Sequence, residues 1–226
     1  MIWQLHGALG RPADFEGLDL GGFRGVDLYD QVAPYAEWAR AFCARVRQED
    51  DAPVLMGYSM GGRLALHALL EDPALWRGAV IVSAHYGHGR DPERIERDSA
   101  WARMARDLPW SKFMEKWNHQ PVFAETADAG DRAYLRTRRD AVSAGFDYWS
   151  VGRQENLLAR LATLDFPVLW VVGERDQKFV DLGREAVEKL PSGRLEILPD
   201  AGHRVPWDQP ENFAARVRTF VSEILG

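Results

Sequence analysis

The sequence predicts an α/β fold in which a mostly parallel sheet is flanked by helices. Short apolar runs alternate along the chain with stretches of helical periodicity, which is the pattern of repeated strand–helix units. The runs Ala79–Ser83 and Pro167–Val172 are continuously apolar, as expected for strands that are covered on both faces. With 226 residues, 46% of them hydrophobic, the chain is large enough for one sizeable core.

The individual elements follow from local patterns. Strands are expected at Ile2–Leu5, Gly25–Leu28, Pro53–Gly57, Ala79–Ser83, Pro167–Val172 and Arg194–Leu198. Apolar residues at helical spacing predict helices at Ala33–Gln48, Gly61–Leu70, Phe179–Leu190 and Pro210–Leu225. Proline marks their limits, because Pro73 and Pro191 follow the second and third helices and Pro210 stands in the first turn of the last one.

Residues 84–160 interrupt this alternation. They give no strand signal, have helical periodicity and are rich in aromatic residues, and a connection of this length needs structure of its own. We interpret them as a helical cap, a single subdomain inserted over an α/β core made of residues 1–83 and 161–226. The cap is nearly neutral and rich in arginine whereas the core is acidic, which indicates that the protein handles an anion.

Charge and composition exclude several classes of protein. The formal net charge of −6 argues against a general nucleic-acid binder, which needs a basic face. The first residues do not resemble a signal peptide, and no apolar run approaches the ~18–20 residues that span a bilayer. The single cysteine, Cys43, fits a reducing compartment and a buried place on a helix. We therefore expect a cytoplasmic protein that binds a small anionic molecule, with no nucleic-acid or membrane partner and no particular oligomeric state indicated.

The strongest motif is a strand followed by Gly57-Tyr58-Ser59-Met60-Gly61 and then a helix. A G-x-S-x-G sequence in this context is typical of a nucleophile elbow, in which a tight turn presents the serine hydroxyl at a helix N-terminus. Bulk at Gly57 or Gly61 is expected to clash with neighbouring backbone. Ser59 is therefore the predicted nucleophile or base.

A serine hydroxyl needs an imidazole to take its proton. Of the six histidines, only His203 follows the last predicted strand and precedes the last helix, where this fold places the base. The acid that orients it should end the strand before, and Asp176 is our choice. Glu174 and Asp200 are the alternatives.

An oxyanion site is expected beside these residues. Its donors would be the backbone N–H groups of Ala8, in the loop after the first strand, and of Met60, which follows the nucleophile. His85 and His88 have a possible metal-binding spacing, with Asp91 nearby, but no firm third ligand. We expect neither a metal nor a cofactor.

Together these segments resemble the α/β-hydrolase fold family. Within it the chain is similar to the 2-succinyl-6-hydroxy-2,4-cyclohexadiene-1-carboxylate synthases of menaquinone biosynthesis, commonly called MenH. Ser59 and His203 lie in motifs that are general to the fold. The more particular segments are Trp117-Asn118-His119-Gln120-Pro121-Val122-Phe123-Ala124 and Gly173-Glu174-Arg175-Asp176-Gln177-Lys178-Phe179.

The resemblance implies a lyase that eliminates pyruvate from an anionic cyclohexene carboxylate. Ser59 would be the base, primed by His203 and oriented by Asp176. The substrate-binding residues that it implies are Tyr58, Arg63, Arg94, Trp117, Phe123 and Arg138. Arginines suit this task, because their planar guanidinium groups bind carboxylates in a bidentate manner.

Two features depart from the family pattern. The residues Asp27-Leu28-Tyr29-Asp30 stand where the family has a Pro-Gly-His-Gly turn, and we expect no β-hairpin before the first strand. Both departures concern the substrate more than the chemistry. Two other functions stay open: a carboxylesterase or thioesterase in which Ser59 is acylated, and a non-catalytic receptor of the same fold.

Overall fold

The computed structural model describes residues 1–124, 126 and 132–226. Its strands form one sheet in the order β2-β1-β3-β4-β5-β6, and every neighbouring pair is parallel. The bounds are Ile2–Leu5 for β1, Phe23–Val26 for β2, Val54–Tyr58 for β3, Gly78–Val82 for β4, Val168–Gly173 for β5 and Gly193–Leu198 for β6. The predicted α/β class is confirmed, and each predicted strand is present, with β2 beginning two residues earlier than expected.

The helices in chain order are α1 (Tyr35–Glu49), α2 (Met60–Glu71), α3 (Pro92–Asp107), α4 (Trp110–Asn118), α5 (Arg139–Tyr148), α6 (Gln177–Lys189), α7 (Val205–Asp208) and α8 (Pro210–Leu225). All four helices predicted for the core are present as α1, α2, α6 and α8. The last of them has the predicted bounds, because Pro210 is favourable only in a first turn.

Side chains of the central strand β3 alternate between two hydrophobic clusters, one on each face of the sheet. Leu55 packs with residues of α1, α2 and α6, whereas Val54 and Met56 pack with residues of α8. All five residues of β3 are buried. β4 and β5 are also buried throughout, so the sheet is covered on both faces at its centre, as their continuous apolar runs predicted.

The carboxyl ends of the parallel strands open on the same edge of the sheet. The register pairs Leu5 with Gly57, Tyr58 with Val82, and Gly173 with Leu198. The loops that follow β1, β3, β4, β5 and β6 consequently converge at this edge, where open α/β sheets place their sites.

The segment between β4 and β5 contains only helical elements within its described residues. Helix α3 packs along α5, and the aromatic side chains of Trp110, Phe113 and Trp117 are buried between helices. The division into a cap (residues 84–160) and a core stays a prediction. The two are joined near residue 134, since the Tyr134 hydroxyl donates to the Leu9 carbonyl at 2.8 Å.

Cys43 is buried in α1, as predicted, with its Sγ donating to the Ala68 carbonyl at 3.3 Å. Burial raises the pKa of this thiol to about 12, so it stays protonated and has little nucleophilic character. Among the described residues, no helix combines the length and the apolar character needed to cross a membrane.

Candidate active site

Ser59 occupies the turn between β3 and α2 in a strained conformation. Its φ is +51° and its ψ is −111°, values that a non-glycine residue adopts only when its surroundings impose them. Its N–H donates to the Val82 carbonyl at 2.8 Å, which fixes the turn to the neighbouring strand β4. The hydroxyl therefore stands at the N-terminus of α2, where the helix dipole favours negative charge.

The elbow glycines permit this turn. A Cβ on Gly57 would lie 2.5 Å from the Gly61 carbonyl oxygen, and a Cβ on Gly61 would lie 2.4 Å from the carbonyl oxygens of Leu5 and His6. These contacts are with backbone atoms, which cannot rotate away. The predicted clash is confirmed at both positions.

The structure brings Ser59, His203 and Asp176 together from three different loops. His203 Nε2 lies 3.1 Å from Ser59 Oγ, and His203 Nδ1 lies 2.7 Å from Asp176 Oδ2. Because a carboxylate only accepts, Nδ1 carries the ring proton and Nε2 is left to accept from the serine hydroxyl. His203 is 4% exposed, so its ring is held in this orientation by packing as well as by hydrogen bonds.

The alternative acids lie elsewhere. Glu174 accepts a hydrogen bond from the Asp200 N–H at 3.2 Å, and Asp200 forms an ion pair with Arg175 at 2.7 Å. Both carboxylates are exposed at the surface of the β5 and β6 loops. Of the three candidate acids, the structure places Asp176 against the imidazole.

The loop after β1 is positioned by a buried histidine. His6 Nδ1–H donates to the Gly7 carbonyl at 2.8 Å, and its Nε2 accepts from the Leu28 N–H at 3.1 Å. Burial lowers the pKa of His6, which keeps the ring neutral in this role. This arrangement explains why His6, although it lies near the sheet edge, serves structure rather than proton transfer.

Ala8 in this loop and Met60 at the start of α2 both line the cavity that contains Ser59. Met60 is the first residue of α2, so its N–H has no acceptor within the helix. The two predicted oxyanion donors thus border the same space as the serine hydroxyl.

A cavity of about 1110 Å³ lies above the hydroxyl, between the carboxyl edge of the sheet and the helices of residues 84–160. Its walls combine aromatic surface with an excess of positive charge. Among the described lining residues, the carboxylates are those of Asp14, Asp98 and Asp176, whereas the cations are those of Arg11, Arg63, Arg94, Arg97, Arg132, Lys178 and Arg204. Such a cavity favours an anion with apolar surface.

Five of the six residues predicted to bind substrate line this cavity. Tyr58, Trp117 and Phe123 supply ring surface, with the Trp117 and Phe123 centroids 5.6 Å apart. The Arg63 guanidinium donates to the Tyr35 hydroxyl and the Trp149 carbonyl, which orients it. Arg94 Nε lies 2.9 Å from both oxygens of Asp98, one helical turn away.

Arg138 is not among the residues lining the cavity, so the structure does not support its predicted place there. Its guanidinium instead pairs with Asp27 and with Asp30, the latter at 2.7 Å. Both acids belong to the stretch that replaces the family's Pro-Gly-His-Gly turn. Arg138 ends a 3-10 helix, Ala133–Arg138, that aims this side chain at the loop after β2.

Sequence reasoning missed several lining residues. Arg204 follows His203 directly, and Lys178 lies two residues after Asp176. Both could have been predicted from their positions beside these two site residues. Arg97 lies three residues after Arg94 on α3, on neighbouring helix surface. No local signal indicated Arg132, whose side chain is brought in by an ion pair with Asp14 at 2.7 Å.

The structure does not bring His85, His88 and Asp91 together as the ligands of a metal ion. His88 Nε2 lies 3.9 Å from Asp91 Oδ2, and His85 turns its Nδ1 to the Gly87 N–H at 2.9 Å. Within the ranges that the structure describes, no group of three His, Cys, Asp or Glu side chains could hold a metal ion.

The fold and the site together define a class: a parallel α/β sheet that presents a serine on an elbow, a histidine and an aspartate at one edge beneath inserted helices. The sequence profile of the alpha/beta hydrolase family matches residues 3–216. The chain belongs to the alpha/beta hydrolase family.

Within that family, this chain is similar to MenH proteins. It is 32% identical to the 2-succinyl-6-hydroxy-2,4-cyclohexadiene-1-carboxylate synthase of Pectobacterium atrosepticum, over 96% of this chain and 92% of that one. A Bacillus subtilis protein provisionally assigned the same activity is 34% identical over 75% of this chain, which spans 66% of that relative's length. The structure of MenH from S. aureus superposes with a TM-score of 0.81 at 21% identity, covering 100% of this chain and 94% of the other.

Proposed function

We propose that this protein is a MenH-type lyase, which eliminates pyruvate from an anionic cyclohexene carboxylate in cytoplasmic menaquinone biosynthesis. The observation that carries the proposal is the hydrogen-bonded series Ser59–His203–Asp176, with its serine open to a cavity rich in arginine. The names of the relatives from Pectobacterium and S. aureus support the choice of reaction.

The geometry suits proton removal by the serine. His203 Nε2 is placed to take the hydroxyl proton, and Asp176 would stabilise the imidazolium that forms. The serine oxygen then removes a proton from a ring carbon of the substrate. The released electron pair forms a ring double bond as the C–O bond breaks, and the pyruvate fragment leaves with the oxygen and takes the proton held by His203.

The other residues that line the cavity have roles that fit this reaction. Arg63 and Arg94 are held by protein partners and present cationic edges to the carboxylates of the substrate. Tyr58, Trp117 and Phe123 would enclose the ring and exclude water. Backbone N–H groups of Ala8 and Met60 would stabilise negative charge that develops during proton removal.

The experiment is an assay of the purified protein for two activities. One arm measures pyruvate release from the pyruvate-bearing precursor of 2-succinyl-6-hydroxy-2,4-cyclohexadiene-1-carboxylate, and the other measures hydrolysis of p-nitrophenyl acetate. We expect pyruvate release with a kcat/KM above about 10⁴ M⁻¹ s⁻¹ and slow ester hydrolysis. Rapid ester hydrolysis without pyruvate release would contradict the proposal and indicate an esterase. Ligand binding without either activity would indicate a non-catalytic receptor.

A further inference from the structure

The loop after β1 carries one of the predicted oxyanion donors, the N–H of Ala8. A Cβ built on Gly7 would lie 3.6 Å from the Ser59 Cβ, so this loop passes directly beside the turn that carries the serine. Ala8 lines the cavity, and no described residue accepts a hydrogen bond from its N–H. This N–H is thus available to a ligand, and its direction depends on what holds the loop.

The peptide group between Gly7 and Ala8 is held through its carbonyl. The Gly7 carbonyl accepts from His6 Nδ1–H at 2.8 Å and from the Gly10 N–H at 3.0 Å. In a trans peptide the C=O and the N–H point in opposite directions, so a fixed Gly7 carbonyl also fixes the Ala8 N–H. This direction persists only if the rest of the loop is held as well.

Leu9 follows in a left-handed conformation, and two tyrosine hydroxyls hold its polar groups. Its φ is +58°, a value that a leucine adopts only when its surroundings impose it. Tyr29 Oη accepts from the Leu9 N–H at 2.9 Å, and Tyr134 Oη donates to the Leu9 carbonyl at 2.8 Å. The peptide groups on both sides of Leu9 are therefore fixed by side chains.

The two tyrosines come from different parts of the chain. Tyr29 is buried in the loop after β2, in the stretch that stands where the family has a Pro-Gly-His-Gly turn. Its ring centroid lies 5.4 Å from that of His6 and 6.4 Å from that of Trp149. Tyr134 lies in the 3-10 helix Ala133–Arg138, between β4 and β5. The oxyanion loop is thus held from the sheet edge and from the inserted segment at once.

Tyr134 is itself positioned by charged neighbours. The Arg11 guanidinium lies 4.9 Å from its ring centroid. Arg132, two residues earlier, pairs with Asp14 at 2.7 Å, and the Asp14 carboxylate also accepts from the Arg11 N–H at 3.1 Å. Burial raises the pKa of the Tyr134 phenol to about 12, so at neutral pH it keeps the proton that it donates to Leu9.

We propose that Tyr29 and Tyr134 are positioning residues for the oxyanion site. Their hydroxyls hold the main chain of Leu9 and thereby keep the Ala8 N–H directed at the oxygen on which negative charge develops. Leu9 is 1% exposed, so water cannot easily replace a lost hydroxyl, and the loop would shift instead. The proposal rests on the proposed function for the origin of that charge. It adds two residues that are not among those described as lining the cavity.

The first test is kinetic and uses Tyr29→Phe and Tyr134→Phe, which remove each hydroxyl and keep each ring. We expect kcat for pyruvate release to fall about tenfold to 100-fold in Tyr29→Phe and about threefold to tenfold in Tyr134→Phe. A misdirected donor loses part of what a deleted oxyanion donor would lose. KM should stay within about threefold of the parent, since the effect arises only when charge develops.

The second test is binding of phenylboronic acid, which does not depend on the reaction. The Ser59 oxygen forms a bond to the trigonal boron as its proton passes to His203, and the product is an anionic tetrahedral adduct. One oxygen of the adduct would accept from the Ala8 N–H. We expect the Kd, measured by calorimetry, to rise about tenfold in Tyr29→Phe and about threefold in Tyr134→Phe. A Kd does not depend on the folded fraction of the protein, so a loss of stability alone would not change it.

The matched control for both tests is Tyr86→Phe. Tyr86 is also buried, and its hydroxyl also donates to a protein partner, Glu185, but it is not among the described residues that line the cavity. This variant should keep kcat, KM and the Kd for phenylboronic acid within about twofold of the parent values.

Unchanged kinetics and Kd in both tyrosine variants would overturn the proposal, as would equal losses in Tyr86→Phe. A raised KM with an unchanged kcat would also contradict it, because the tyrosines would then act on ligand binding. Absence of an adduct in the parent would remove the oxyanion site on which the proposal depends. If the Kd rises in the tyrosine variants but the parent releases no pyruvate, the positioning role stands and the proposed function fails.

Discussion

His203 uses both nitrogens of its ring, and the proposed chemistry depends on each of them. The bond to Asp176 at 2.7 Å selects the tautomer, and the contact with Ser59 Oγ at 3.1 Å uses the lone pair that results. Rings of Phe179, Tyr58 and Phe123 surround the imidazole, with Phe179 closest at 4.6 Å. An imidazole with so little freedom is already oriented for the proposed proton transfer before any ligand binds.

Asp176→Asn tests this orientation at the residue scale. An amide can donate to the imidazole and select the wrong tautomer, so we expect kcat for pyruvate release to fall by about 10³–10⁴-fold with little change in KM. Glu174→Gln and Asp200→Asn, the two acids that the structure places elsewhere, are the controls and should each stay within about threefold of the parent. Equal losses in all three variants would show that Asp176 has no special role.

At the scale of elements, the site depends on how closely β3, its turn and α2 approach β1. The Gly61 Cα lies against the last carbonyls of β1 and its loop, and Gly57 lies against the Gly61 carbonyl. Backbone packs on backbone here, and this contact holds the strained Ser59 turn in place. The geometry of the proposed catalytic turn is therefore supported by the main chain of two elements.

Gly61→Ala is expected to lower the free energy of unfolding by about 2–3 kcal/mol, because its Cβ would lie 2.4 Å from two carbonyl oxygens. For a chain of this size the loss corresponds to a Tm lower by about 5–10 °C, measurable by differential scanning calorimetry. The control is Gly17→Ala, whose Cβ would meet no atom within 4 Å. A Gly61→Ala protein as stable as the Gly17→Ala protein would refute the close-packed elbow.

For the whole molecule, burial of neutral histidines in the core couples stability to pH. His67 on α2 stacks on Tyr35 of α1, with ring centroids 4.3 Å apart, so it joins the two helices on one face of the sheet. Burial, followed by the charges of Arg160 and Arg63, lowers the pKa of His67 to about 3. In the unfolded chain a histidine has a pKa of about 6.5, so the unfolded state binds the proton first.

Stability should therefore be fully present above about pH 6.5 and decrease as the pH falls toward the folded-state pKa of His67. His67 alone contributes a slope of up to about 1.4 kcal/mol per pH unit in that window. The free energy of unfolding can be measured by urea denaturation at several pH values between about 4.5 and 7. Plotted against pH, it should have a shallower slope for His67→Phe than for the parent. His119→Phe, at an exposed position, is the control, and an unchanged slope in His67→Phe would contradict the assignment.

The parts of the fold and site that local patterns could predict are those whose causes are local. The elbow at Ser59 follows from a strand, two glycines and a helix in sequence, and His203 follows from its place between β6 and α8. Arg138 could not be placed in this way, because its partners Asp27 and Asp30 lie more than a hundred residues earlier in the chain. Contacts between residues so far apart in the sequence depend on how the inserted helices pack on the core. Hydrophobic periodicity does not predict that packing.

The most direct test of the account is the rate of pyruvate release by Ser59→Ala, compared with the parent and with Ser192→Ala, which changes an exposed serine before β6. If the Ser59 oxygen removes the substrate proton, kcat should fall by about 10³-fold or more in Ser59→Ala and stay unchanged in Ser192→Ala. Turnover by Ser59→Ala within about tenfold of the parent would contradict the account, because the oxygen held by His203 would then have no part in the reaction.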